Sequence, residues 1–146
     1  MKGSANYLIL PEFRLILECC KGQVSVEDAV KMKKAELSDH LYNPDYDIIV
    51  DIQEFETSLN ATTTESISDF FDFLKGLDIK SKVAFLTTKP HQVVISEVLK
   101  RLSKDSMAIK IETFSTAEAA IRFIGLSMDN FELINSKILE LNRNTS

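Results

Sequence analysis

The chain has 146 residues, 45% of them apolar and 27% charged, and 17 Lys and Arg against 22 Asp and Glu give a formal charge of −5. That length suits a single domain over 1–146 that buries roughly two-thirds of its unfolded surface, so folding requires neither a disulfide nor a metal. The balance excludes a disordered or collagen-like chain, and the acidic excess argues against a nucleic-acid partner, because phosphate binding needs clustered cations.

The densest basic run, Lys31, Lys33 and Lys34, is mixed with Glu27, Asp28 and Glu36 and reads as the solvated face of a helix. No apolar run approaches the ~20 residues of a membrane-spanning helix. The first five residues carry no apolar signal segment. The expected location is the cytoplasm, with no membrane insertion. The adjacent Cys19 and Cys20 agree with a reducing compartment, and on a strand they face opposite ways.

In chain order, 6–10 and 15–21 read as strands joined by Pro11-Glu12-Phe13-Arg14, which predicts an antiparallel hairpin ended by Gly22. Ser25 with Asp28 three residues on predicts a capped helix start. Val26, Ala29, Val30, Lys33, Leu37 and Leu41 follow at helical spacing, with the Lys33 stem snorkelling to water and the helix stopping before Asn43-Pro44. The run 47–52, Asp-Ile-Ile-Val-Asp-Ile, predicts a central strand buried on both faces. A polar loop over 57–64 leads to a helix over 64–77 with Ile67, Phe70, Phe71, Leu74 and Leu77 on one stripe and Phe73 close to it. Residues 82–88 predict the next strand, and Pro90 opens a helix whose inner face is Val94, Val98, Leu99 and Leu102. The alternation over 108–114 suits an edge strand. Thr116 or Ser115 then caps a helix with Ala117, Ala120, Ile121 and Ile124 inside and Gly125 as its stop. A last helix over 130–141 carries Phe131, Ile134, Ile138 and Leu141. Strand–helix alternation after the hairpin predicts an α/β fold, with a mixed, mostly parallel five-stranded sheet built of right-handed crossovers.

Catalytic signatures are thin. The four glycines form no phosphate loop and no nucleophile elbow. His40 and His91 stand apart from any Cys or Asp at ligand spacing, so neither a metal nor another cofactor is implied. Asp51, Thr87-Thr88 and Lys89-Pro90 resemble a phospho-receiver domain. That reading fails, because its metal-holding acidic pair is reduced to Glu12 and the Lys-Pro pair comes one strand early. Asp51, Thr88 and His91 remain a candidate pocket at the carboxyl ends of the strands, where α/β sheets bind ligands.

The segments Lys21-Gly22-Gln23-Val24-Ser25, Asp47-Ile48-Ile49-Val50-Asp51-Ile52-Gln53-Glu54-Phe55, Lys82-Val83-Ala84-Phe85-Leu86 and Ile111-Glu112-Thr113-Phe114, with Ala117, Ala119, Ala120, Phe123 and Ile124 after them, occur in a telling order. Over about residues 6–126 the chain resembles the STAS fold (sulfate transporter and anti-sigma factor antagonist), in its SpoIIAA-like branch. Residues 127–146 would be a C-terminal helical addition. The resemblance implies a non-catalytic module that docks another protein, in signalling or regulation. It also implies a switch serine in an Asp-Ser-Ser-Gly motif at the helix after the central strand. Here Asn60-Ala61-Thr62-Thr63-Thr64-Glu65-Ser66 stands in that place, and a Thr run before a helix is first a cap. Leu59, Asn60, Thr62, Thr63, Thr64 and Phe73 are the candidate contact or switch residues. The alternatives are a carrier of a small apolar ligand or lipid, which needs a cavity of a few hundred Å³ between sheet and helices, an enzyme at the strand ends, and a homodimer sealed by the last helix.

Overall fold

The computed structural model describes residues 3–56 and 61–146, without the side chains of 61–64. Five strands form one sheet: β1 (Ser4–Leu10), β2 (Leu15–Gly22), β3 (Asp47–Phe55), β4 (Lys82–Leu86) and β5 (Lys110–Phe114), side by side in that order. β1 and β2 are antiparallel, and every later pairing is parallel. The central place of β3 follows from Ile48, Ile49 and Val50, all buried, which satisfy one packed layer on each face.

Five helices cover the sheet: α1 (Val26–Leu37), α2 (Ala61–Lys75), α3 (Pro90–Ser103), α4 (Ala117–Ile124) and α5 (Phe131–Asn144). Strand alternation divides the core in two. Leu15, Leu17, Cys19, Ile49, Ala84 and Leu86 pack with Ile121, Ile134 and Ile138 of α4 and α5. Ile16, Ile48, Val50, Val83, Phe85 and Ile111 face the other way, with Phe71, Ile95 and Leu99 of α2 and α3. Among the described residues, no helix is long and apolar enough to cross a membrane.

Local chemistry fixes the boundaries. Ser25 Oγ accepts from the Asp28 N–H at 3.0 Å and starts α1. Thr116 Oγ1 accepts from the Ala119 N–H at 3.2 Å and starts α4, and Gly125 ends α4 at φ +90°, a left-handed conformation that suits glycine. Gly3 is required for a different reason: its N–H donates to the Gln23 carbonyl at 3.0 Å, and a Cβ there would lie 2.3 Å from the Gln23 carbonyl carbon.

Three expectations need correction. α1 stops before Asn43-Pro44 as expected, but already at Leu37, so Leu41 lies outside it: Asp39 Oδ1 accepts the Leu41 N–H at 2.9 Å and folds the chain into a turn. Leu41 is therefore 42% exposed instead of extending the stripe. The inner face of α3 is rotated from the expected one: Val94 is 43% exposed, while Gln92, Ile95, Ser96, Leu99 and Ser103 are buried. Hydrogen bonds make those polar positions tolerable, as when Ser96 Oγ meets Thr113 Oγ1 at 2.6 Å. Finally, Lys33 does not snorkel and Glu36 is not solvated. Lys33 is 3% exposed and Glu36 0%, because both are paired inside the fold.

Candidate functional site

α2 makes its principal contacts with α1 and α3, so it roofs the gap between them. Beneath it lies a cavity of about 260 Å³. Its floor is the face of the sheet that carries Cys20, Val50, Ile52, Val83, Phe85 and Ile111. Its walls come from Ala29 and Met32 of α1, Ile67, Phe70 and Leu74 of α2, and Ile95 and Leu99 of α3. Ser25, which is exposed, also lines it, so the cavity reaches solvent near the start of α1. The lining is overwhelmingly aliphatic and aromatic, the character of a small-molecule site.

One stretch of wall is ionic. Glu18 of β2 and Lys33 of α1 both line the cavity, and Lys33 Nζ donates to Glu18 Oε2 at 2.7 Å. The same nitrogen donates to Glu36 Oε2 at 2.9 Å, one helical turn along α1. One ammonium thus serves two buried carboxylates. Burial works against the Lys33 charge, but Glu18 and Glu36 outweigh it and raise its pKa. Burial also pushes Glu18 up, but the Lys33 ammonium overrides it and holds Glu18 below the usual carboxylate range. For Glu36, burial and then the Glu18 charge push the carboxyl up to about 9. Glu36 is therefore the protonated member at neutral pH, and the triad carries no net charge. Its Oε1 is the buried side-chain oxygen that lacks a partner among the described residues.

Cys20 stands on the same face of β2 as Glu18, two residues on, where the pairing register with β3 shifts between Cys19 and Lys21. Burial and the Glu18 charge push its thiol pKa up, which keeps it in the neutral form. Cys19 faces the opposite layer, and burial, followed by Asp51, pushes it to about 12.

The strand-end residues are engaged separately. Asp51 Oδ1 accepts from the Gln53 backbone N–H and from Gln53 Nε2, both at 3.1 Å, and Asp51 Oδ2 accepts from Asn142 Nδ2 at 3.3 Å. Thr88 Oγ1 donates to the Gln53 carbonyl at 3.1 Å, and His91 Nε2 lies 3.1 Å from the Phe55 carbonyl. No hydrogen bond links Asp51, Thr88 and His91 to one another among the described residues. Thr88 belongs to a clamp whose centre is Gln92, which is 0% exposed, and His91 shares the Phe55 carbonyl with it, whereas Asp51 is tied to α5 through Asn142. Gln92 Oε1 accepts from the Thr88 and Lys89 N–H groups at 2.8 and 3.1 Å, and Nε2 donates to the Gln53 and Phe55 carbonyls at 2.9 and 3.1 Å. Among the described residues, no three His, Cys, Asp or Glu side chains converge as a metal centre requires.

Of the candidate contact residues, Leu59 and Asn60 lie outside the described residues. Thr62, Thr63 and Thr64 correct the expected loop and cap before the helix: α2 begins at Ala61, so they fall within its first turn, with side chains outside the described set. Phe73 is half-buried and stacks on Phe70, with ring centroids 6.4 Å apart. Phe71 belongs to the core, whereas Phe70 faces the cavity. The ionic wall is the feature that sequence reasoning missed. Its signal was Glu18, a carboxylate inside the apolar run 15–20, together with a lysine on the apolar stripe of α1.

No family model matches the chain, and no curated protein matches it by sequence. A solved structure does resemble it: an uncharacterised protein of the DUF3478 family from Shewanella loihica PV-4, described as having a SpoIIAA-like fold. The two share 14% identity at a TM-score of 0.59, over 85% of this chain and 96% of that one. The chain therefore has the STAS-type, SpoIIAA-like fold that the order of its segments implied.

Proposed function

We propose that this SpoIIAA-like domain is a non-catalytic binding protein for a small apolar molecule, held between the sheet and α1–α3. The observation that carries this reading is the 260 Å³ cavity with its almost wholly apolar lining. An engineered cavity of about 150 Å³ with comparable walls stays dry and takes up benzene, so a larger one is a competent apolar site. The ionisable groups on its wall neutralise one another, which suits retention of a ligand better than turnover. A ligand that binds only the native state raises its melting temperature by mass action. The test is thermal unfolding of the full chain with increasing butylbenzene. A concentration-dependent rise supports the reading, and an unchanged midpoint up to the solubility limit overturns it.

A second reading, docking of another protein or a second copy, rests on Val93 and Val94, adjacent and exposed on α3. It requires amide protection over 90–103 on complex formation; protection confined to other elements removes that support.

A further inference from the structure

The polar wall of the cavity imposes a second selection, one of charge. From the juxtaposition of Lys33 and Glu18 on the wall of an apolar cavity we infer that the ligand is a neutral amphiphile. Its aliphatic part would have about ten heavy atoms, and its head group would both accept and donate a hydrogen bond, as a hydroxyl or a primary amide does. This rests on the apolar-ligand reading and specifies its substrate class.

The size follows from proportion: about 150 Å³ holds the six carbons of benzene, so 260 Å³ holds about ten. The head group follows from donor and charge counts. An ammonium has three N–H donors. Lys33 directs two of them at Glu18 Oε2 and Glu36 Oε2. Among the described residues the third has no partner, so it can meet an acceptor on the ligand, and the Glu18 carboxylate beside it can receive a ligand O–H or N–H. Lys33 Nζ already serves two carboxyl groups, so it has no unshared charge to offer a third. A carboxylate head would be a third acid around one ammonium, and an ammonium head would stand beside Lys33. Either leaves a net charge in a low-dielectric site, where it is strongly penalised. A purely apolar ligand would leave the third Lys33 donor unanswered, a cost that a hydroxyl removes.

The experiment is calorimetric titration of the full chain at pH 7 with 1-nonanol, nonanoate, nonylamine and butylbenzene. The expected result is that 1-nonanol binds at least tenfold tighter than either charged analogue. The nonanol C1 protons are also expected to show nuclear Overhauser contacts to the Lys33 and Cys20 side chains. A preference below tenfold over either charged analogue overturns the inference, as does a terminal methyl found beside Lys33 in place of C1. Binding of butylbenzene without that preference defeats this inference and leaves the apolar-ligand reading standing. Failure of all four to bind defeats both. Lys33→Met is expected to erase the preference while butylbenzene still binds. If that variant does not fold, the comparison on the unmodified chain decides alone.

Discussion

Lys33 Nζ lies 2.7 Å from Glu18 Oε2, an ion pair across the interface between α1 and β2 in which both side chains are buried. Removing one member of such a pair leaves an uncompensated charge in the interior, whereas removing all members together need not destabilise. Lys33→Met is therefore expected to cost about 3–5 kcal/mol of unfolding free energy. The combined variant Glu18→Leu, Lys33→Met, Glu36→Leu should recover most of that loss. Urea denaturation of the two variants beside the parent chain makes the comparison. A mild Lys33→Met would show that the triad is hydrated in solution.

The proton on Glu36 sets a pH dependence. Its folded pKa, about 9, lies above the ordinary 4.5, so the native state holds a proton that the unfolded state releases between those values. This contribution is fully present below about pH 4.5 and is lost as pH rises through 9. From this group alone, stability should fall steadily as pH rises from about 5 to 9. Glu36→Gln keeps the shape and removes the titration, so its denaturation midpoints should show a flatter profile over that range. Parallel profiles for the two proteins would contradict the assignment.

Gln92 ties the start of α3 to the end of β3 with four hydrogen bonds and no exposure. Gln92→Ala strands several of those backbone groups, at a cost of about 2–3 kcal/mol. Gln92→Glu should cost a similar amount, because a carboxylate cannot donate to the Gln53 and Phe55 carbonyls. Chemical denaturation measures both.

Val83 borders the cavity, so Val83→Ile adds one methylene to empty space. Stability is expected to rise by about 0.5–1 kcal/mol. Butylbenzene affinity should fall at the same time. A destabilised variant would mean that the space is closed in solution.

The antiparallel opening pair, the interior position of β3 and the stop at Gly125 could be read along the chain because each is written in consecutive residues. The run Ile48-Ile49-Val50 has no polar position to turn towards water, and Gly125 supplies the left-handed residue that ends α4. The ionic wall could not be read that way. Glu18 and Lys33 are 15 residues apart on different elements, and helical periodicity places Lys33 on the inner stripe without saying what it meets there. The rotation of α3 escaped for a related reason. Counting apolar positions favoured Val94, while the buried face is set by Gln92 and Ser96, whose burial depends on bonds to Gln53, Phe55 and Thr113. The cavity is a property of three helices together, since it exists only because α2 rests on α1 and α3.

The most direct measurement is methyl-resolved NMR of the full chain titrated with butylbenzene, with intermolecular Overhauser contacts used to place the ligand. The expected result is contacts to Val50, Ile52 and Ile111 on the sheet and to Leu74 and Leu99 on the helices, with the methyls of Leu15, Leu17 and Ile134 in the opposite layer undisturbed. Contacts spread over exposed side chains such as Leu133 and Leu139, with the cavity methyls unmoved, would contradict the account.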